Sequence, residues 1–303
     1  MSSSDSAGRL LHAATIGPAA SAELRSGTVA LRVHSVFTSA LNIAVGDRGT
    51  MIAITGPGGR VYPHAIAVDV PVDFTAYAID RGAPAILGND TLSIDATRLS
   101  VDLTTAQRRP HRSIPAIANE VSPCLAARLA AIQASRSCDL RIDELIARRS
   151  FPAQSWPDMV SWLIGFGRGL TPAGDDFVCG LLAAAHARGA RHLLATISTA
   201  IESNLQRTSD ISASFMRLAL RDYWLEPLID LACAVARFET RDSRFAGRSI
   251  LESRISNLES SLEQLCAIGH TSGADTASGF VFGLHVIPVH KRAGSPPKER
   301  SYI

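Results

Sequence analysis

An apolar stretch from Trp162 to Ala187 constrains this chain more than any other feature, because a glycine-rich loop and three charges, Arg168, Asp175 and Asp176, lie inside it. Those charges deny it the run of about 20 apolar residues that a membrane-spanning helix needs. The stretch predicts a buried core helix with a special start. That start reads Gly165-Phe166-Gly167-Arg168-Gly169-Leu170-Thr171-Pro172-Ala173-Gly174-Asp175-Asp176-Phe177. Three glycines in five positions permit a tight backbone path, Thr171 suits an N-cap and Pro172 the first helical position. A helix beginning there presents N–H groups and positive dipole potential to an anion, with Gly174 allowing close approach to its backbone. The loop ends in no Lys-Ser/Thr and matches no GxGxxG after a strand, so neither common nucleotide-binding loop is supported.

A second stretch, Gly269-His270-Thr271-Ser272-Gly273-Ala274-Asp275-Thr276, leads into the apolar Phe280, Val281 and Phe282. Aligned without a gap, Gly169, Thr171 and Asp175 fall on Gly269, Thr271 and Asp275. Each is a Gly-x-Thr turn with an aspartate one helical turn into the next helix. Exposed acids in a first turn offset the helix dipole by a few tenths to about 1 kcal/mol. Beside Phe177, Val178, Leu181 and Leu182, however, Asp175 and Asp176 are expected to be buried, and buried charges need partners. Mg²⁺, an arginine such as Arg168, or substrate N–H groups would serve. Adjacent helical residues diverge by about 100°. One of the two acids is therefore expected to pair with Asp275 while the other turns to the loop backbone. His270 is placed for acid–base work or for donating to an anion, with an exposed loop histidine as the plain alternative. Cys179 is expected to be a packing residue, since no activating base stands beside it.

The rest of the chain divides by texture. Short β-rich runs lie at Thr28 to Val36, Leu41 to Val45, Thr50 to Ile54, Val61 to Val68 and Thr91 to Ile94, with Gly, Pro, Asn and Asp between them. They predict a small antiparallel sheet or barrel in residues 1–105, with Ala-rich Leu10 to Arg25 as one broken helix packed on it. Residues 106–123, with Arg108, Arg109, His111 and Arg112, are read as a solvated linker rather than an anion-attracting arm. Helical periodicity then runs through Leu125 to Ile132, Met159 to Phe166, Phe177 to Ala187, Leu193 to Leu205, Phe215 to Leu225, Leu228 to Phe238 and Ile250 to Leu265. The expected class is α+β, with a larger helical domain over 124–289 and a mobile tail over 290–303.

Thirty Lys and Arg against 28 Asp and Glu leave a formal net charge of +2, without the basic excess of a nucleic-acid binder. The five cysteines are scattered and none forms a CxxC pair. Together with a Ser-rich first fifteen residues that lack a signal-like apolar run, they suggest reduced thiols and a cytoplasmic protein.

Gly-x-Gly-Leu-Thr-Pro-x-Gly-Asp-Asp-Phe over Gly167 to Phe177, with Gly-His-Thr-Ser-Gly-x-Asp over Gly269 to Asp275, resembles a bacterial family of formerly unknown function. One branch of that family is regarded as a subunit of the oxamate carbamoyltransferase of anaerobic allantoin degradation. Thr208, Ile211, Ser212 and the segment Val36 to Val45 also look like its pattern, and the resemblance spans about Leu10 to Val289. It implies a subunit working with two others, one similar to the succinyl-CoA synthetase α chain. Together they would phosphorolyse oxalurate to oxamate and carbamoyl phosphate. It further implies that Gly167, Gly169, Thr171, Gly174, Thr271, Ser272 and Gly273 cradle anions. His270 would polarise or protonate, and Asp175, Asp176 or Asp275 would hold ureido N–H groups or a metal. Two other readings stand beside the enzyme subunit: a non-catalytic anion-binding assembly or regulatory subunit, and a stand-alone metal-dependent hydrolase.

Overall fold

The computed structural model describes residues 9–25, 30–47, 49–95, 98–118, 142–149, 155–238 and 248–289. The expected helix Leu125 to Ile132, the tail from His290, Cys124 and Cys138 lie outside them. The chain packs as two units, residues 1–113 with 206–229, and residues 114–205 with 230–303.

Among the described residues the first unit holds nine strands: β1 (Arg9–Ile16), β2 (Leu31–Val36), β3 (Ala40–Val45), β4 (Thr50–Thr55), β5 (Ala65–Val68), β6 (Pro84–Gly88), β7 (Thr91–Ile94), β8 (Leu99–Asp102) and β9 (Gln107–Arg108). Their order, β5-β4-β3-β2-β6-β7-β8-β1, closes on itself through a β1–β5 pairing, and the short β9 adds to the β1 edge. Eight strands thus form a closed barrel, leaving no long unpaired edge among the described residues. Most pairs are antiparallel, but β1–β8, β1–β9 and β4–β5 are parallel. Inward-facing Leu11, Val33, Ile43, Ile54, Ile66, Leu92, Leu99 and Val101 fill the interior as one cluster.

Leu10 to Arg25 is not one broken helix. Its first half is β1, its second half the helix α1 (Pro18–Arg25). Alanine content favours a helix there, but burial along Leu10–Ile16 nearly alternates, and the strand is held on both edges by partners distant in sequence. Gly17 makes the corner: a β-carbon there would stand 2.3 Å from the Pro63 carbonyl oxygen.

Every residue of β4 and β5 is buried, so their outer faces are covered too. The covers are α1 and a helix from the distant segment, α6 (Asp210–Leu220). The Phe215 ring meets His64 edge-on at 4.9 Å. Residues 107–113, read from sequence as solvated linker, are docked within this unit. Arg109 forms an ion pair with Glu226, and His111 Nε2 lies 2.8 Å from the Asp222 carbonyl.

In the second unit the described helices are α2 (Ile142–Arg149), α3 (Trp156–Leu163), α4 (Ala173–Arg188), α5 (Arg191–Glu202), α8 (Arg248–Cys266) and α9 (Ser272–Val286), with most of α7 (Glu226–Phe238). The centre is the α4/α9 pair. Both helices are buried on nearly every side, which explains why neither shows an amphipathic stripe in its sequence. Among the described residues no helix is long and apolar enough to cross a membrane.

Candidate functional site

Helices α4 and α9 run parallel with their N-termini together. At that end Thr171 Oγ1 and Ser272 Oγ are 2.8 Å apart, and further along a β-carbon at Gly283 would stand 2.5 Å from the Ala184 methyl. Between these points the backbones touch. A β-carbon at Gly180 would be 1.9 Å from the Thr276 carbonyl oxygen, and one at Gly279 would be 1.9 Å from that of Phe177. Contacts this short are open only to glycine, and they let the helices approach as small-residue pairs do in tightly packed bundles.

The contacts are reciprocal and obey one offset: Gly174 answers to Gly273, Phe177 to Thr276 and Gly180 to Gly279, each 99 residues apart. The helix starts repeat as well. A β-carbon at Gly174 would lie 2.1 Å from the Leu163 carbonyl oxygen at the end of α3, and one at Gly273 would lie 1.8 Å from that of Leu265 near the end of α8. On this register Asp176, not Asp175, is the counterpart of Asp275. The gapless reading is one residue out because the loops differ in length, with eleven residues from Leu163 to Gly174 but eight from Leu265 to Gly273.

The two adjacent acids have separate tasks. Asp175 is buried, and its Oδ1 accepts from the Gly165 backbone N–H at 2.7 Å, fastening the loop. Asp176 faces Ser272, Thr171 and the Asp275 carboxylate. Burial holds its carboxyl well above the usual carboxylate range; the charges of Asp275 and Asp175 add to this, while hydrogen bonds from Ser272 and Thr171 oppose it. Its Oδ2 is buried with no hydrogen-bond partner among the described residues. Asp275 is 2% exposed. Asp176 and Asp275 therefore lie together with two hydroxyls beside them, and they are the centre of the candidate site.

Gly174 and Gly273 lack a β-carbon for the sake of the carbonyls they pack on. Their N–H groups are engaged, Gly174 donating to Phe166 at 2.8 Å and Gly273 to Ile268 at 3.1 Å. Gly167 and Gly169 belong to the exposed loop and have φ of +120° and +92°. A β-carbon at Gly167 would come 2.8 Å from the Ala173 nitrogen. Arg168 and His270 are exposed, and Thr271 is half-buried at the cap position of α9 without a side-chain cap bond. Burial pushes the Cys179 thiol well up, with Asp176 and Asp175 adding, so it is held as an unreactive thiol. No disulfide involves Cys179, Cys233 or Cys266. Among the described residues no three His, Cys, Asp or Glu side chains gather as a metal site.

Sequence reasoning passed over Gly180, Gly279 and Gly283. Isolated glycines inside helical patterns were the available signal, since they mark close backbone approach. It also passed over Arg188, buried at the other end of the pair, where it donates to the Ile117 carbonyl at 3.1 Å and to Leu284 at 2.5 Å.

Two protein-family models match the chain. One, described as the AllH family N-terminal domain, covers residues 12–108, and the other, described as oxamate carbamoyltransferase subunit AllH, covers residues 163–284. The chain belongs to the AllH family. The first AllH match takes in the barrel from β1 to β9, and the second runs from the last residue of α3 almost to the end of α9, with both aspartate-bearing helix starts inside it. No solved structure matches the chain.

Proposed function

We propose that this chain is the subunit of an oxamate carbamoyltransferase complex that holds the ureido group of the substrate, with Asp176 and Asp275 as the recognising pair. The observation that carries this reading is Asp176, whose carboxyl burial holds well above the usual carboxylate range beside a second carboxyl, with one oxygen lacking a partner among the described residues. A neutral carboxyl donates through its O–H and an ionised one accepts, so the pair complements the C=O and N–H edge of a carbamoyl or ureido group. Thr171 and Ser272 supply adjacent hydroxyls, and the paired helix dipoles favour negative charge at that end. Arg168 and His270, on the exposed loops, are the groups we assign to meeting the carboxylate or phosphate.

For oxalurate the step balances as follows. A phosphate oxygen bonds to the carbamoyl carbon, the bond from that carbon to nitrogen breaks, Asp176 passes its proton to the departing oxamate nitrogen, and the phosphate proton restores Asp176. In this reading the other subunits, one of them similar to the succinyl-CoA synthetase α chain, complete the site in a cytoplasmic complex.

The test is carbamoyl phosphate formation by the reconstituted complex. Asp176→Asn is expected to lower turnover by roughly 10²- to 10⁴-fold, the usual worth of a positioned acid, with assembly intact. Unchanged turnover would overturn the reading. Titration of the single chain with phosphate, carbamoyl phosphate, oxamate and oxalurate, with and without Mg²⁺, tests binding apart from chemistry. One observation favours a second reading, an assembly or regulatory subunit: the amides of Gly174, Asp175, Gly273 and Asp275 are all closed off by this chain's own carbonyls. Under that reading Asp176→Asn alters complex formation and leaves turnover per assembled complex unchanged.

A further inference from the structure

A relay in the first unit shares no residue with the carboxyl pair. On β2, Val33 pairs with Ile43 and Ser35 with Asn42, so two steps on β2 answer one on β3 and His34 is the extra residue of a bulge. Neighbours on a regular strand point to opposite faces. The bulge cancels that alternation and brings His34 Nδ1 to 3.1 Å from Ser35 Oγ. The other ring nitrogen, Nε2, is 3.2 Å from Asp210 Oδ2 in the first turn of α6. Asn42 Nδ2 donates to Ser35 Oγ at 3.1 Å.

With the ring neutral and Asp210 ionised, one proton arrangement satisfies all three contacts. Asn42 donates to the serine oxygen, the serine hydroxyl donates to Nδ1, and the Nε2–H donates to Asp210. The carboxylate thereby selects the tautomer that leaves Nδ1 free to take the serine proton, which is the logic of a nucleophile, its base and an orienting acid. The side chain of His34 is 16% exposed and that of Asp210 73%, so the group is shielded but reachable.

The geometry points to Ser35 as a nucleophile toward small activated carbonyl compounds, with His34 as its base, Asp210 as a positioning residue and Asn42 as a donor to the serine oxygen. Ser35 Oγ bonds to the carbonyl carbon while His34 takes the hydroxyl proton. The bond to the leaving oxygen or nitrogen then breaks, and His34 delivers the proton to that group. Water repeats the sequence with Ser35 as the leaving group.

Diisopropyl fluorophosphate, which phosphorylates activated serines with loss of fluoride, tests this on the full chain. The expected result is a single adduct by intact mass, mapped by peptide sequencing to Ser35. It should be absent in Ser35→Ala and form about 10²-fold more slowly in His34→Gln. Asp210→Asn should also slow it, and Asp210→Glu should restore part of the rate, which a merely structural acid would not do. p-Nitrophenyl acetate should give a burst of nitrophenolate equal to the chain present. No adduct and no burst from the unaltered chain, an adduct on another residue, or a rate unchanged in His34→Gln would overturn the assignment. The unaltered chain decides the first of these whether or not a variant folds.

Discussion

Gly180 of α4 and the Thr276 carbonyl of α9 meet with no room for a methyl group, since a β-carbon on Gly180 would stand 1.9 Å from that oxygen. The obstacle is backbone, which cannot swing aside as a side-chain tip does. Gly180→Ala must part the two helices and with them Thr171 and Ser272. The expected loss is about 1–3 kcal/mol or more, read from urea unfolding. Gly58→Ala, where nothing lies within 4 Å, should stay within about 0.5 kcal/mol. Equal effects at the two sites would remove the helix contact as an explanation.

His64 gives the first unit a pH dependence. Burial pushes its pKa down from 6.5 to about 4, so the unfolded chain takes up a proton that the folded one refuses. Its contribution is therefore complete above about pH 6.5 and is lost as pH falls toward 4, about 3 kcal/mol in full at 1.36 kcal/mol per pH unit. Unfolding of the original chain and of His64→Leu should diverge across that window. Parallel curves would mean that the ring takes up its proton in the fold as readily as in the unfolded chain.

Asp176 has the opposite sign. Its folded pKa lies above the unfolded value, so its contribution is present at low pH and is lost as pH rises through the folded value. Asp176→Asn, which cannot ionise, should match or exceed the original chain in melting temperature at neutral pH while turnover of the complex falls as stated above. A large fall in melting temperature would make Asp176 a structural group.

Asp175 should behave otherwise. Asp175→Ala deprives the Gly165 N–H of its acceptor at 2.7 Å, a charge-assisted bond at a buried carboxylate, and is expected to cost about 1–3 kcal/mol. Hydrogen exchange at Gly165 and through the loop to Leu170 should quicken ahead of exchange in α4. Unchanged protection there would show that the loop holds itself.

Much of the fold was legible because local rules governed it. β-Rich runs with turn residues between them marked most strands, and helical spacing marked α3 to α8 to within four residues at each end, except that α6 begins and ends five residues earlier than Phe215 to Leu225. What escaped was set by distant partners. β1 looked helical because alanine is a good helix former, yet β5 and β8 claim its backbone hydrogen bonds. The segment 206–229 read as more of the helical region, but Phe215 and its neighbours cover barrel strands that would otherwise leave an apolar outer face.

The candidate site divides in the same way. The sequence by itself determined that two glycine-threonine turns each open a buried helix with an acid in its first turn, because those residue types permit few other backbone paths. Only the tertiary structure decided which acid is which. Loops of unequal length conceal the true register from a gapless alignment, and glycine contacts between α4 and α9 impose it. That register sends Asp175 to the Gly165 amide and leaves Asp176 facing Asp275, where burial and a neighbouring charge push its carboxyl above the usual carboxylate range.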